Sequence, residues 1–113
     1  MNNNSLVNTL TNPDTKQEVH INYHQVKKSL LILRALNHKL RQQILKLLDE
    51  KGKITVTEIF QALYLEQSVA SQHLAILRKA GIVNTERDGK FIFYTINYKR
   101  IDEISQFVKD LVG

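Results

Sequence analysis

The stretch SVASQHLAILRKAG, residues 68–81, holds the side chains best suited to reading a polar surface. On a helical wheel of about 100° per residue, Gln67, Ser68, Ser71, Gln72, Ala75, Arg78 and Lys79 fall inside an arc of about 140°. Val69, Ala70, His73, Leu74, Ile76, Leu77 and Ala80 fill the remainder. No acid lies on the polar arc, whereas a merely solvated helix face ordinarily mixes both charge signs. Glutamine can pair with adenine N6 and N7, serine can donate or accept at several bases, and a small alanine fits against a thymine methyl. Arg78 and Lys79 lie toward the far end, where phosphates are their natural targets. The arc therefore suits the base edges of double-stranded DNA. His73 sits in the middle of the apolar arc and reads as a semi-buried, hydrogen-bonded histidine rather than a base reader or metal ligand.

Other chemistries find little support. The chain has no cysteine, which excludes disulfides, zinc knuckles and thiolate catalysis. His20 and His24 have i, i+4 spacing, but two ligands without a third make a poor metal site, so no metal is expected. There is no Gly-rich phosphate loop, Ser-His-Asp arrangement or pair of catalytic carboxylates, so the chain reads as a non-enzyme without a cofactor.

Charge points the same way as the helix face. The net charge is +5 over 113 residues, with a pI near 9.6. Residues 21–50 carry Lys27, Lys28, Arg34, Lys39, Arg41 and Lys46 against Asp49 and Glu50. Residues 67–81 carry Arg78 and Lys79 with no acid, while 51–66, 82–98 and 99–113 each balance to zero. An excess concentrated on candidate helices suits a polyanionic partner. The amino terminus lacks the layout of a signal peptide, and no apolar run is long enough to cross a bilayer. A cytoplasmic protein is expected.

The elements that must position the polar arc are mostly helices. Residues 1–18, Asn/Thr-rich and polar, read as a flexible tail, with one folded domain over 19–113. YHQVKKSLLILRAL (23–36) is a helix apolar on nearly every side. Such a helix must be covered all round, and in a chain this short a second subunit is the natural cover. HKLRQQILKLLDE follows, closed by Gly52. TVTEIFQAL opens with Thr55 and Glu58 at capping-box spacing, and Tyr64 to Glu66 make a brief turn into the fourth helix, which Gly81 stops. IVNTER and KFIFYTIN flank Asp88-Gly89, which predicts a hairpin with a type I′ turn. Arg87 and Lys90 bracket it, placed to meet backbone or minor groove. A last helix carries Ile101, Ile104, Phe107, Val108 and Leu111 on one stripe. The sum is mainly α with a small β-hairpin wing: a winged helix-turn-helix.

ALNHKLRQQILKLL (35–48), SVASQHLAILRKAGIV (68–83) and RDGKFIFYTI (87–96) resemble the ArsR/SmtB family of bacterial regulators over about residues 23–112. The resemblance implies a homodimeric winged-helix repressor on a palindromic operator, released by an inducer, commonly a metal ion or metalloid. It implies dimerisation through the first and last helices, here Tyr23, Val26, Leu30, Leu33, Ile104, Phe107, Val108 and Leu111. The departures bear on the inducer. Thr55-Val56-Thr57 stand where thiolate sensors of the family carry Cys-Val-Cys, and hydroxyls are poor ligands for soft metals. The last helix has no histidine where zinc sensors carry one, and Lys39 replaces the usual proline after the first helix. The inducer is left unknown. A winged-helix protein-interaction module and a repressor with an atypical metal site are the alternatives.

Overall fold

The computed structural model describes residues 6–113. Its elements are β1 (Val7–Thr11), β2 (Glu18–Asn22), α1 (Tyr23–Leu36), α2 (Lys39–Lys51), β3 (Ile54–Thr55), α3 (Val56–Ala62), α4 (Gln67–Lys79), β4 (Val83–Asp88), β5 (Phe91–Ile96) and α5 (Tyr98–Val112). Two compact units divide within α1, one ending at Ile32 and the other starting at Leu33.

The first unit corrects the expectation of a tail to residue 18. From Val7 the chain forms an antiparallel hairpin, β1 on β2, with Leu10 opposite Val19 and Thr9 opposite His20. Asn12 organises the connection: its side-chain oxygen accepts from the Asp14 amide at 2.9 Å, and its carbonyl from Lys16 at 2.9 Å. Asn22 then caps α1, accepting from the amides of His24 at 3.0 Å and Gln25 at 3.2 Å. His20 lies on β2, with Nδ1 2.9 Å from Thr9 Oγ1. It precedes the helix, so the i, i+4 relation with His24 is not a helical one. None of residues 6–32 is buried, and Leu10, Val19, Val26, Leu30 and Leu31 are exposed.

The second unit holds the core. Ile44, Leu48, Ile59, Leu74, Leu77, Ile82 and Val83 are fully buried, contributed by α2, α3, α4 and the start of the wing. Gly52 ends α2 with φ +86, and its amide donates to Leu48 O at 2.7 Å. Thr55 caps α3 as its spacing predicts, accepting from the Glu58 amide at 3.3 Å. The sheet has an unexpected third strand: β3 pairs with β5, giving the order β3-β5-β4, antiparallel throughout. Two residues are too short for a periodic signal, and their β-branched types serve equally well before a helix.

The wing register also differs by one residue. Asp88 pairs with Phe91, so Gly89 and Lys90 are the two turn residues. Gly89 has φ +62 and Lys90 is not in the left-handed region, which fits a type II′ turn rather than I′. A glycine followed by lysine suits II′, because only the first central position needs positive φ.

Candidate nucleic-acid interface

Every residue of the predicted polar arc on α4 is in solvent: Gln67, Ser68, Ser71, Gln72, Ala75, Arg78 and Lys79. The opposite side supplies core, with Ala70, Leu74 and Leu77 buried and Val69 half-buried. Ile76 departs from the wheel: it is exposed beside Gln72. The apolar side of α4 is thus narrower than hydropathy suggests, and the open arc extends past Gln72.

α4 is firmly held at its carboxyl end. The Ile82 amide donates to Leu77 O at 3.0 Å and the Gly81 amide to Arg78 O at 2.9 Å, a Schellman arrangement that needs the left-handed Gly81 at φ +77. The first turn of α5 adds three hydrogen bonds. Asn97 Nδ2 donates to Gly81 O at 3.1 Å, the Asn97 amide to Ile82 O at 2.9 Å, and Arg100 Nε to Ala80 O at 3.2 Å. A Cβ at Gly81 would stand 3.4 Å from Arg100 Nε, so glycine serves both conformation and space. At the amino end the connection from α3 passes through Tyr64, which has φ +56 and is 96% exposed. A left-handed tyrosine costs about 1–2 kcal/mol, and it buys a turn short enough to set α4 against α3.

His73 is half-buried and hydrogen-bonded, as the wheel predicts. Its Nδ1 lies 3.2 Å from Arg41 Nη1. A guanidinium only donates, so Nδ1 is the acceptor and the neutral ring carries its proton on Nε2. The His38 ring lies with its centroid 4.7 Å away, and His38 Nδ1 accepts from the Leu40 amide at the start of α2. Burial, His38 and Arg41 together push the His73 pKa below its ordinary value, burial being the largest cause.

Arg41 is the residue that composition misplaces. Counted with the surface charge of α2, it is only 9% exposed. Its Nε donates to Ala35 O at 2.7 Å and its Nη2 to Arg34 O at 2.9 Å, satisfying carbonyls that the end of α1 leaves without helical partners. It is therefore a structural cation, unavailable to phosphate. Spacing alone does not reveal this, since a six-residue reach back across a helix break has no periodic signature.

At the wing, Arg87 and Lys90 are exposed. Arg87 Nε donates to Gly89 O at 3.2 Å, bracing the turn rather than pairing with Glu86. Glu86 instead meets Lys53 at 3.2 Å. Among the described residues no group of three or more His, Asp or Glu stands ready to hold a metal ion, and no helix is long and apolar enough to cross a membrane.

The expected dimer residues divide. Tyr23, Val26, Leu30, Phe107, Val108 and Leu111 are exposed, and Leu33 is half-buried. Ile104 is a correction: at 8% exposure it belongs to the protomer's own core. The α5 stripe runs from the core at its first turns to open solvent at Leu111, which is 69% exposed.

A helix that follows a tight turn, shows solvent a base-compatible face and is flanked by a cationic hairpin defines a winged helix-turn-helix protein. The family model for bacterial regulatory proteins of the arsR family matches residues 38–85. An HTH-type transcriptional regulator of Methanocaldococcus jannaschii is 40% identical over 85 residues, covering 75% of this chain and 96% of that one. Among solved structures, HlyU from Vibrio cholerae is 32% identical with a TM-score of 0.59, over 79% of this chain and 97% of that one. The transcriptional repressor PagR of Bacillus anthracis is 30% identical with a TM-score of 0.60, over 79% and 98%. The chain belongs to the arsR family of bacterial regulatory proteins.

Proposed function

We propose that this regulator is a homodimeric repressor that binds a palindromic operator, with α4 in the major groove and the wing against the adjoining backbone. The observation that carries the reading is the open arc of α4: seven polar, small or basic side chains in solvent on a helix bonded at its carboxyl end to α5. In this reading Gln67, Ser68, Ser71, Gln72 and Ala75 face base edges, while Arg78, Lys79, Arg87 and Lys90 meet phosphates. The resemblance to a PagR described as a transcriptional repressor supports repression as the outcome.

Homodimerisation rests on the exposed apolar residues of α1 and, separately, of the outer half of α5, each of which a second copy would cover. The two-fold symmetry of such a dimer would match a palindromic operator. The inducer, where one acts, is not a soft metal: Thr55 and Thr57 offer hydroxyls, and the chain has no thiol.

The test is selection of duplexes from a randomised pool by the purified protein, followed by titration of the recovered sequence at several salt concentrations. The expected result is an inverted repeat bound with a steep salt dependence, reflecting counterion release. Recovery of no sequence, or binding insensitive to salt, refutes the reading. Zinc, cadmium or arsenite at micromolar order should leave the complex intact. Release by stoichiometric zinc would reveal a site made from other ligands.

A further inference from the structure

One exposed side chain of the wing has no part in base reading by α4 or in phosphate binding by the flanking cations. Phe91 directly follows the Gly89–Lys90 turn and is 52% exposed. Its ring centroid lies 6.4 Å from that of Phe93 at an interplanar angle of 58°. The Lys90 ammonium stands 5.4 Å from the Phe91 centroid, and Lys53 stands 4.9 Å from that of Phe93. Along the ladder Phe91 shares a face with Asp88, Glu86 and Phe93, while Arg87 and Ile92 point to the other. The tip of the hairpin thus offers an aromatic ring next to two cations, Arg87 and Lys90. The fold has no need of an aromatic there: Phe93 and Tyr94 already supply the half-buried part of β5.

Minor-groove proteins combine cations on the backbone with an apolar side chain driven between base pairs, which unstacks one step and bends the duplex. We propose that Phe91 is such a wedge, entering the minor groove beside the α4 half-site and unstacking one base step. This rests on the DNA-binding reading above and adds to it a second source of specificity. Pyrimidine–purine steps unstack most easily, so the wedge favours TA or CA/TG at a flanking position that α4 never touches.

The test compares wild type, Phe91→Ala and Phe91→Leu on duplexes that wild type recovers from the randomised pool. A 2-aminopurine in the flanking step reports unstacking, and dyes on the duplex ends report bending. Wild type should raise the fluorescence and bend the DNA. Phe91→Ala should lose both and bind about tenfold more weakly, consistent with an unstacking device worth a few kcal/mol. Phe91→Leu should keep part of each, and all three proteins should melt alike. Repeating the selection with Phe91→Ala should erase the flanking TA or CA/TG preference while leaving the central motif. If Phe91→Ala bends, unstacks and selects as wild type does, the wedge is refuted while operator binding stands. If Phe91→Ala alters self-association but not DNA, the ring covers protein instead, and the wedge is again refuted. If wild type recovers no sequence, both readings fall.

Discussion

Gln72 and Lys90 are both exposed, yet DNA should feel their loss in opposite ways. Gln72 sits on the open arc of α4 with two donors and an acceptor in a plane that matches an adenine edge. Gln72→Ala should weaken the selected site by about 1–3 kcal/mol and leave random duplexes unaffected. Lys90 is a turn residue of the wing and carries a mobile charge. Lys90→Ala should weaken every duplex alike and flatten the salt slope by about one unit. Titration of both variants against selected and scrambled duplexes decides between them. If Gln72→Ala loses affinity equally on both, α4 is rotated relative to the groove, and the exposed Ile76 beside Gln72 becomes the first candidate for base contact through a thymine methyl. The polar arc was legible from sequence because seven side chains share one helical period. Arg41 was not, because its role is to bond carbonyls across a helix break. Arg41→Met keeps the apolar stem but leaves Arg34 O and Ala35 O unpartnered. It should cost roughly 2–4 kcal/mol in urea unfolding, on the scale of a lost buried charged hydrogen-bond donor.

At the scale of elements, the junction of α2 and α4 should respond to pH. His73 on α4 faces two basic groups, Arg41 of α2 and the His38 ring that caps α2. Its folded-state pKa lies below the ordinary 6.5, because burial and both neighbours disfavour the imidazolium. The unfolded chain therefore takes up this proton first as pH falls. The stability at stake is fully present above about 6.5 and is lost as pH falls through the folded value. Urea midpoints should drop from neutral pH toward about pH 5, and His73→Gln should reduce that drop by removing one titrating group. An identical pH slope in the variant would assign the effect to other histidines. Sequence signals were strongest where one residue type had one use, as with Gly52, Thr55 and Gly81 at helix ends. They failed where composition outweighed pattern. EVHIN alternates Val19 and Ile21 with polar residues, a strand period, yet its Asn/Thr-rich surroundings read as a tail. In the wing the strands were legible but the register was not, since Asp88-Gly89 and Gly89-Lys90 each satisfy a hairpin turn and differ only in which positions need positive φ.

For the molecule as a whole, the question is what covers its apolar surface. Among residues 6–32 nothing is buried, and on α5 the stripe that begins in the core at Ile104 continues into solvent through Phe107, Val108 and Leu111. A monomer would leave these side chains in water at about 25 cal/mol for every Å² of apolar surface that a partner could cover. The division of the α5 stripe separates folding from assembly. Ile104→Glu would bury a charge in the protomer core and unfold it, so it tests nothing about a dimer. Phe107→Glu with Leu111→Glu changes residues the protomer leaves exposed, and its helical signal and melting should match those of a folded monomer. Sedimentation should then show one chain where wild type shows two. Affinity for the selected inverted repeat should fall by about 10²–10⁴, the usual contribution of linking two half-site contacts, while a single half-site should bind both proteins alike. A double variant that sediments as an intact dimer would remove α5 from the interface. One that is monomeric yet binds the full repeat as tightly as wild type would show that each chain reads its operator alone.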